Sequence, residues 1–166
     1  MTITPHFFAG AAIANLTDNV LVAFLLGFFL HFVLDALPHV DPGTFNEIKI
    51  PLIDFELEFP EGKRDKPWPR WIYYFAITEF LIVVTTFFFL FHHRANFTIL
   101  SAGAFGGIFV DILDNPIFRF ILKLPVFRQI HWLHHRVHHD LDPKKWYWGL
   151  PVQLIIIGVS LWVLLK

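Results

Sequence analysis

The stretch "HWLHHRVHHD", residues 131–140, places five histidines in ten positions. Other ionisable groups recur at telling intervals. His31 and Asp35 stand four apart, and His39 and Asp41 follow in "PHVD"; Asp111 and Asp114 stand three apart; Glu79 lies inside an apolar run. Intervals of three and four put side chains on one face of a helix. At 100° per residue His131, His134, His135, His138 and His139 fall within an arc of about 140°, leaving Trp132, Leu133, Arg136 and Val137 for the remainder. One face of such a helix is nearly all imidazole. Neutral imidazoles beside carboxylates suit zinc, manganese or iron, whereas calcium or magnesium would be held by oxygen alone. Five histidines cannot all bind one ion, so some act as outer partners, proton carriers or bystanders.

The surroundings make these groups costly. Of 166 residues 55% are hydrophobic, 21 are Phe, and mean hydropathy is +0.55. A core of this size could not hide that much apolar surface from water, which points to a membrane. A charged residue at the centre of a spanning helix costs about 2.5–3.5 kcal/mol on insertion scales. His31, Asp35 and Glu79 nevertheless sit within apolar runs. The net charge of −1 and the lack of a basic recognition helix argue against nucleic acid as a partner. The absence of cysteine removes disulfides and thiolate ligands. The start "MTITPHFFAG" has no Lys or Arg and so lacks the charged region of a signal peptide; it is expected to remain in the mature protein.

The elements that must position these groups are read from the apolar runs. Four of them, 20–37, 70–91, 97–113 and 148–165, approach the ~20 residues that cross a bilayer. The run at 6–16 is shorter and reads as a half-spanning or re-entrant helix, with Asp18 as N-cap of the helix after it. "HHRAN" (92–96) makes the second and third spans a hairpin, and leaves His92 and His93 without an assigned role. Segment 117–139 reads as amphipathic helix broken near Pro125, and "IDFELEF" (53–59) alternates like a short extended segment. Gly103, Gly106 and Gly107 are expected to let helices pack closely. Trp and Tyr at 68–74 and 146–148 read as interface anchors. A weak echo relates "GFFLHFVLDALPHVDP" to "GAFGGIFVDILDNP", aligning Asp35 with Asp111.

The expected fold is therefore all-α: one membrane domain over 1–166, an integral bundle of about four spanning helices, an N-terminal half helix and a His-rich amphipathic helix. Segments 38–70 and 116–147 carry eleven of the thirteen Lys and Arg. The positive-inside rule makes both cytoplasmic and the protein a multi-pass inner-membrane one. His31, Asp35, His39, Asp111 and the 131–139 histidines then share one membrane face, joined by His6 if the N-terminus is cytoplasmic.

At this point the residues carry a family resemblance. "TPHFFAGAAIA", "HFVLDALPHVD", "GGIFVDILDNP" and the late histidines resemble the small membrane-bound metal-dependent hydrolases of the YbcI/YdjM type. The resemblance spans most of the chain except 43–70 and the last span. It implies an all-helical membrane hydrolase with His6, His31, Asp35, His39, Asp111, Asp114 and the 131–139 histidines at its site. Val110 stands where that family favours Pro, and "HHRVHHD" replaces its His-Arg-Gly element.

The expected metal ligands are His31, Asp35, His39, Asp111, His131, His134 and His135. Among the five clustered histidines, His138 and His139 are expected to run on toward solvent. Glu79 and Asp114 are the candidate catalytic carboxylates. Zinc heads the cofactors, with manganese or iron open. The partners are the bilayer and a small-molecule or lipid substrate, a phosphoester or other ester. Two other readings stay open. "HWLHH" and "HRVHH" match the His-x-x-His-His element of di-iron lipid hydroxylases and desaturases, although no upstream His-x-x-x-His accompanies them. A non-enzymatic metal-binding or pH-sensing protein would use the same imidazoles.

Overall fold

The computed structural model describes residues 1–40, 70–114, 116–138 and 146–166, with side chains except at 70, 71, 114, 116–119 and 146. The "IDFELEF" segment, Asp41, His139 and most of the basic residues of 38–70 lie outside the described residues. What is described is helical, with no strand. Six α-helices follow in order: α1 (Ile3–Ile13), α2 (Val20–Asp35), α3 (Arg70–Phe91), α4 (Phe97–Asp114), α5 (Pro125–Val137) and α6 (Trp146–Leu165). A 3-10 turn at Ala14–Leu16 closes α1, and a 3-10 segment at Pro116–Lys123 leads into α5.

Helix α1 is apolar all round and is buried from Pro5 through Ala11. A helix without a polar face must be enclosed. It packs against α2, α3, α4 and α6. Pro5 costs it little, because the first-turn N–H groups have no intrahelical acceptor. The N–H and hydroxyl of Thr4 donate instead to Glu79 Oε1 at 2.9 and 2.7 Å, so a carboxylate on α3 caps α1. At the start of α2 the cap is Asn19 rather than Asp18: its side chain accepts from the N–H groups of Leu21 and Val22.

Three stripes of small residues at fourfold spacing make the centre. They are His6–Gly10–Ala14 on α1, Ala23–Gly27–His31–Asp35 on α2 and Gly103–Gly107–Asp111 on α4. A methyl group added at Gly10 would strike the Gly103 carbonyl, at Gly27 the same carbonyl, at Gly107 the His6 carbonyl and at Gly106 the Phe24 carbonyl. Backbones therefore touch where ordinary helices hold side chains, as the glycine spacing anticipates. This contact aligns α2 and α4 so that Asp35 and Asp111, each eight residues after an interfacial glycine, emerge at one end. The echo between the two segments is real in space.

Large residues fill the far end. Phe7, Val83, Phe87, Phe91, Leu100, Ala104 and Ile108 form an apolar cluster, with Phe87 edge-on to Phe7 at 5.2 Å. The short 92–96 link joins α3 to α4, and Asn96 donates to Asn15 at 3.0 Å. The outer surface is greasy. On α2 Leu21, Leu25, Phe29 and Val33 form an exposed stripe opposite the small-residue one. The apolar windows Ile72–Phe91 and Tyr147–Leu165 are long enough to cross a membrane, and only 17% and 22% of them are buried. That exposure is the reverse of a soluble core helix and supports membrane association. Helices α2 and α4 are apolar but shorter: the sixteen residues of α2 rise about 24 Å, less than the ~30 Å hydrocarbon core. Tyr74, Tyr147 and Trp148 are exposed, as interface anchors would be.

Candidate metal centre

The small-residue stripes end in polar ones, and these converge on Asp35. Its carboxylate is fully buried, yet four imidazoles approach it. His31 Nε2 and His134 Nε2 lie 3.0 and 2.7 Å from Oδ2. His6 Nε2 lies 3.0 Å from Oδ1, and His39 Nε2 lies 3.9 Å from the same oxygen. The amino nitrogen of Met1 is 3.4 Å from Oδ1. Asp111 faces the group from α4, with Oδ1 at 3.9 Å from His31 Nε2. Its side chain is 24% exposed, whereas those of Asp35, His6 and His31 are wholly buried.

Each donor has a local reason for its place. His31 and Asp35 project from α2 one turn apart. His31 Nδ1 donates to the Gly107 carbonyl at 2.8 Å, a contact open only because that stretch of α4 lacks side chains. His39 lies past the end of α2, where Nδ1 donates to the Leu37 carbonyl at 2.7 Å. The segment is pinned by α6: Gln153 Nε2 donates to the Val40 carbonyl at 2.6 Å, and Gly149 packs against His39 and Val40. His134 and His138 come from the last turn and C-cap of α5, where the helix dipole favours positive charge. The last turns of α2 and α4 contribute Asp35 and Asp111 from the same kind of helix end.

The hydrogen-bond pattern fixes tautomers. A carbonyl only accepts, so the proton of His31 is on Nδ1 and its Nε2 presents a lone pair. That lone pair faces an acceptor, Asp35 Oδ2. His31 Nε2 and Asp111 Oδ2 are both buried with no hydrogen-bond partner. His31 Nε2 and Asp35 Oδ2, 3.0 Å apart and away from water, require a second ring proton or a shared cation between them. A ring nitrogen tied to a backbone carbonyl, its other nitrogen aimed at a carboxylate-lined point, is how metal-binding histidines are held. One ligand atom each from His31, Asp35, Asp111 and His134 lies within 4.8 Å of all the others. Asp35, His39 and His138 form a second such group. The donor chemistry fits zinc, manganese or iron.

Of the residues expected from sequence, His31, Asp35, His39, Asp111 and His134 are brought together. His131 and His135 are in neither group; their rings meet each other at 4.4 Å. Glu79 accepts from Thr4 and belongs to neither group, and Asp114 is the last residue of α4, its side chain outside those described. The order of the histidines along the chain points His138 toward solvent. The structure turns it inward, with Nε2 3.2 Å from His39 Nε2; its N–H still donates to the His134 carbonyl, so its ring follows His134 one helical turn on. Gln153 and Gly149 were missed as the groups that seat His39; a glutamine in an apolar span was their available signal.

No protein-family model, curated protein or solved structure matches this chain. The chemistry of the site rests on its own geometry.

Proposed function

We propose that this chain is a membrane-bound metal-dependent hydrolase that acts on a phosphoester or other ester, a lipid among the candidates, in line with its resemblance to the YbcI/YdjM-type proteins. The observation that carries the reading is the largely buried quartet of His31, Asp35, Asp111 and His134, which can each bring one ligand atom within 4.8 Å of the others, while His31 Nε2 has no hydrogen-bond partner. A divalent ion held there, zinc by preference, would supply an acidified water and an electrophile for the scissile group.

The protein's own groups have distinct parts. His31, held by the Gly107 carbonyl, and His134 offer nitrogen; Asp35 offers one oxygen and charge. Asp111 is the partly exposed carboxylate of the cluster, and we assign it the proton released from the attacking water. Glu79 is occupied by Thr4, which favours a structural part for it. Asp114, three residues along α4, remains the other carboxylate of that helix. The exposed apolar stripe of α2 runs to the level of Asp35, a surface on which acyl chains could lie while a headgroup meets Asp111. In this reading α2 and α4 also traverse the membrane, giving four spans, with the cluster on the basic, cytoplasmic side of an inner membrane.

The His-x-x-His-His element of hydroxylases fits less well, since "HWLHH" delivers only His134 to the quartet. Metal analysis by mass spectrometry on purified protein, joined to release of nitrophenol from phosphate and carboxylate esters, tests the proposal. Stoichiometric zinc and turnover lost in Asp111→Asn are expected. Metal-free protein as isolated and after zinc addition would overturn it, as would bound iron with oxygen consumption and no ester cleavage.

A further inference from the structure

Asp35 belongs to both donor groups. Oδ2 faces His31 and His134, with Asp111 alongside, while Oδ1 faces His6, His39 and the Met1 amino nitrogen. The second group has a ligand geometry of its own. His39 Nε2 lies 3.2 Å from His138 Nε2 and 3.9 Å from Asp35 Oδ1. Ligand atoms about 2.0–2.2 Å from one ion stand roughly 3–4 Å apart. His39 repeats the orientation of His31, with Nδ1 on a backbone carbonyl and Nε2 toward the carboxylate. His31 precedes Asp35 by one helical turn and His39 follows it past the end of α2, so the chain presents nitrogen, carboxylate, nitrogen around one residue.

We propose that the centre is binuclear: a second divalent cation is held by His39 and His138, and the Asp35 carboxylate bridges the two ions through its separate oxygens. The inference rests on the hydrolase reading and deepens it. Paired ions about 3.5–4 Å apart clamp the attacking and leaving oxygens of a displaced ester, which narrows the substrate class to phosphoesters. A bridge also explains why a single carboxylate sits at the focus of four imidazoles. One anion between two cations needs several neutral donors around it to complete both sets. His6 Nε2, 3.0 Å from Oδ1 and stacked on His31 at 4.2 Å between ring centroids, is the further nitrogen on the second side.

The test loads the full-length, detergent-solubilised protein with Zn2+ or Mn2+ and counts ions by mass spectrometry. Mn2+-loaded samples are also read by electron paramagnetic resonance for coupling between ions. Two ions per chain and an exchange-coupled Mn2+ signal are expected in the wild type. His138→Ala and His39→Ala should each halve the count and leave an isolated Mn2+ signal; Asp35→Ala should lower both occupancies. One ion per chain, unaltered by His39→Ala and His138→Ala, would overturn the second site and leave the hydrolase reading intact. No ion at all would overturn both. Retention of one ion and of wild-type helicity by the His138→Ala protein guards against simple unfolding. An Asp35→Ala protein that kept two coupled ions would defeat the bridge.

Discussion

His134 Nε2 lies 2.7 Å from Asp35 Oδ2, although 99 positions separate the two residues in the chain. The contact ties an amphipathic helix, α5, to the end of an apolar one, α2, and it is buried at both partners. A carboxylate in that setting is stabilised only by the positive or donor groups around it.

Removal of the central carboxylate should strip the metal. Asp35→Ala and Asp111→Ala are expected to lose bound zinc while far-ultraviolet circular dichroism changes little, because backbone contact at the glycines holds α1, α2 and α4 together without the carboxylates. Full occupancy in the double variant would end the metal assignment. His131→Ala should lower occupancy far less, since its ring meets His135 and belongs to neither donor group.

Protons and chelators should act in the same direction. Every nitrogen donor must be unprotonated to bind, so occupancy should fall as pH is lowered and recover on return to neutrality. At free metal near 100 times Kd, binding to the folded state alone contributes about 2.7 kcal/mol. Chelation should therefore lower Tm, and acid should erase the difference between metal-loaded and chelated samples. An equal Tm with and without chelator at neutral pH would contradict this.

Close helix contact makes the glycines intolerant. A methyl at Gly103 would meet the Gly10 carbonyl and the Ala14 side chain. Gly103→Ala should cost about 1–3 kcal/mol by overpacking, and Gly107→Ala should in addition disturb the carbonyl that orients His31. Gly158→Ala, where nothing lies within 4 Å, should be neutral. Thermal melts in detergent read all three.

Glu79 should behave as a cap. Glu79→Ala removes the acceptor for both donors of Thr4; a loss of about 1 kcal/mol is expected, as for other helix caps. Zinc content should be retained. Loss of turnover with unchanged stability would instead restore it as a catalytic carboxylate.

Sidedness can be read with single cysteines, because the chain has none. Cysteines at Arg94 and Arg128 should label from opposite faces of the membrane, the second from the cytoplasm. Labelling of both from outside intact cells would refute the four-span arrangement.

What the sequence determined by itself was periodic. Stretches without polar residues had to become helices with buried or lipid-facing sides, and i, i+4 spacing put His31 on the face of Asp35, as it put Gly103 and Gly107 on the face of Asp111. Those are local consequences of helical geometry, legible before any contact is known. The choice among five histidines was not local. An arc of imidazole on α5 gives each ring a similar claim. Only the crossing of α5 over the ends of α2 and α4 sent His134 and His138 inward and left His131 against His135. The place of His39 likewise depended on Gln153 and Gly149 of α6, more than a hundred residues away. Distant contacts of that kind leave no period in the sequence. They exist only once helices have packed, which is why a cluster of imidazole and carboxylate was foreseeable while the inward place of His138 and the grouping around the two oxygens of Asp35 were not.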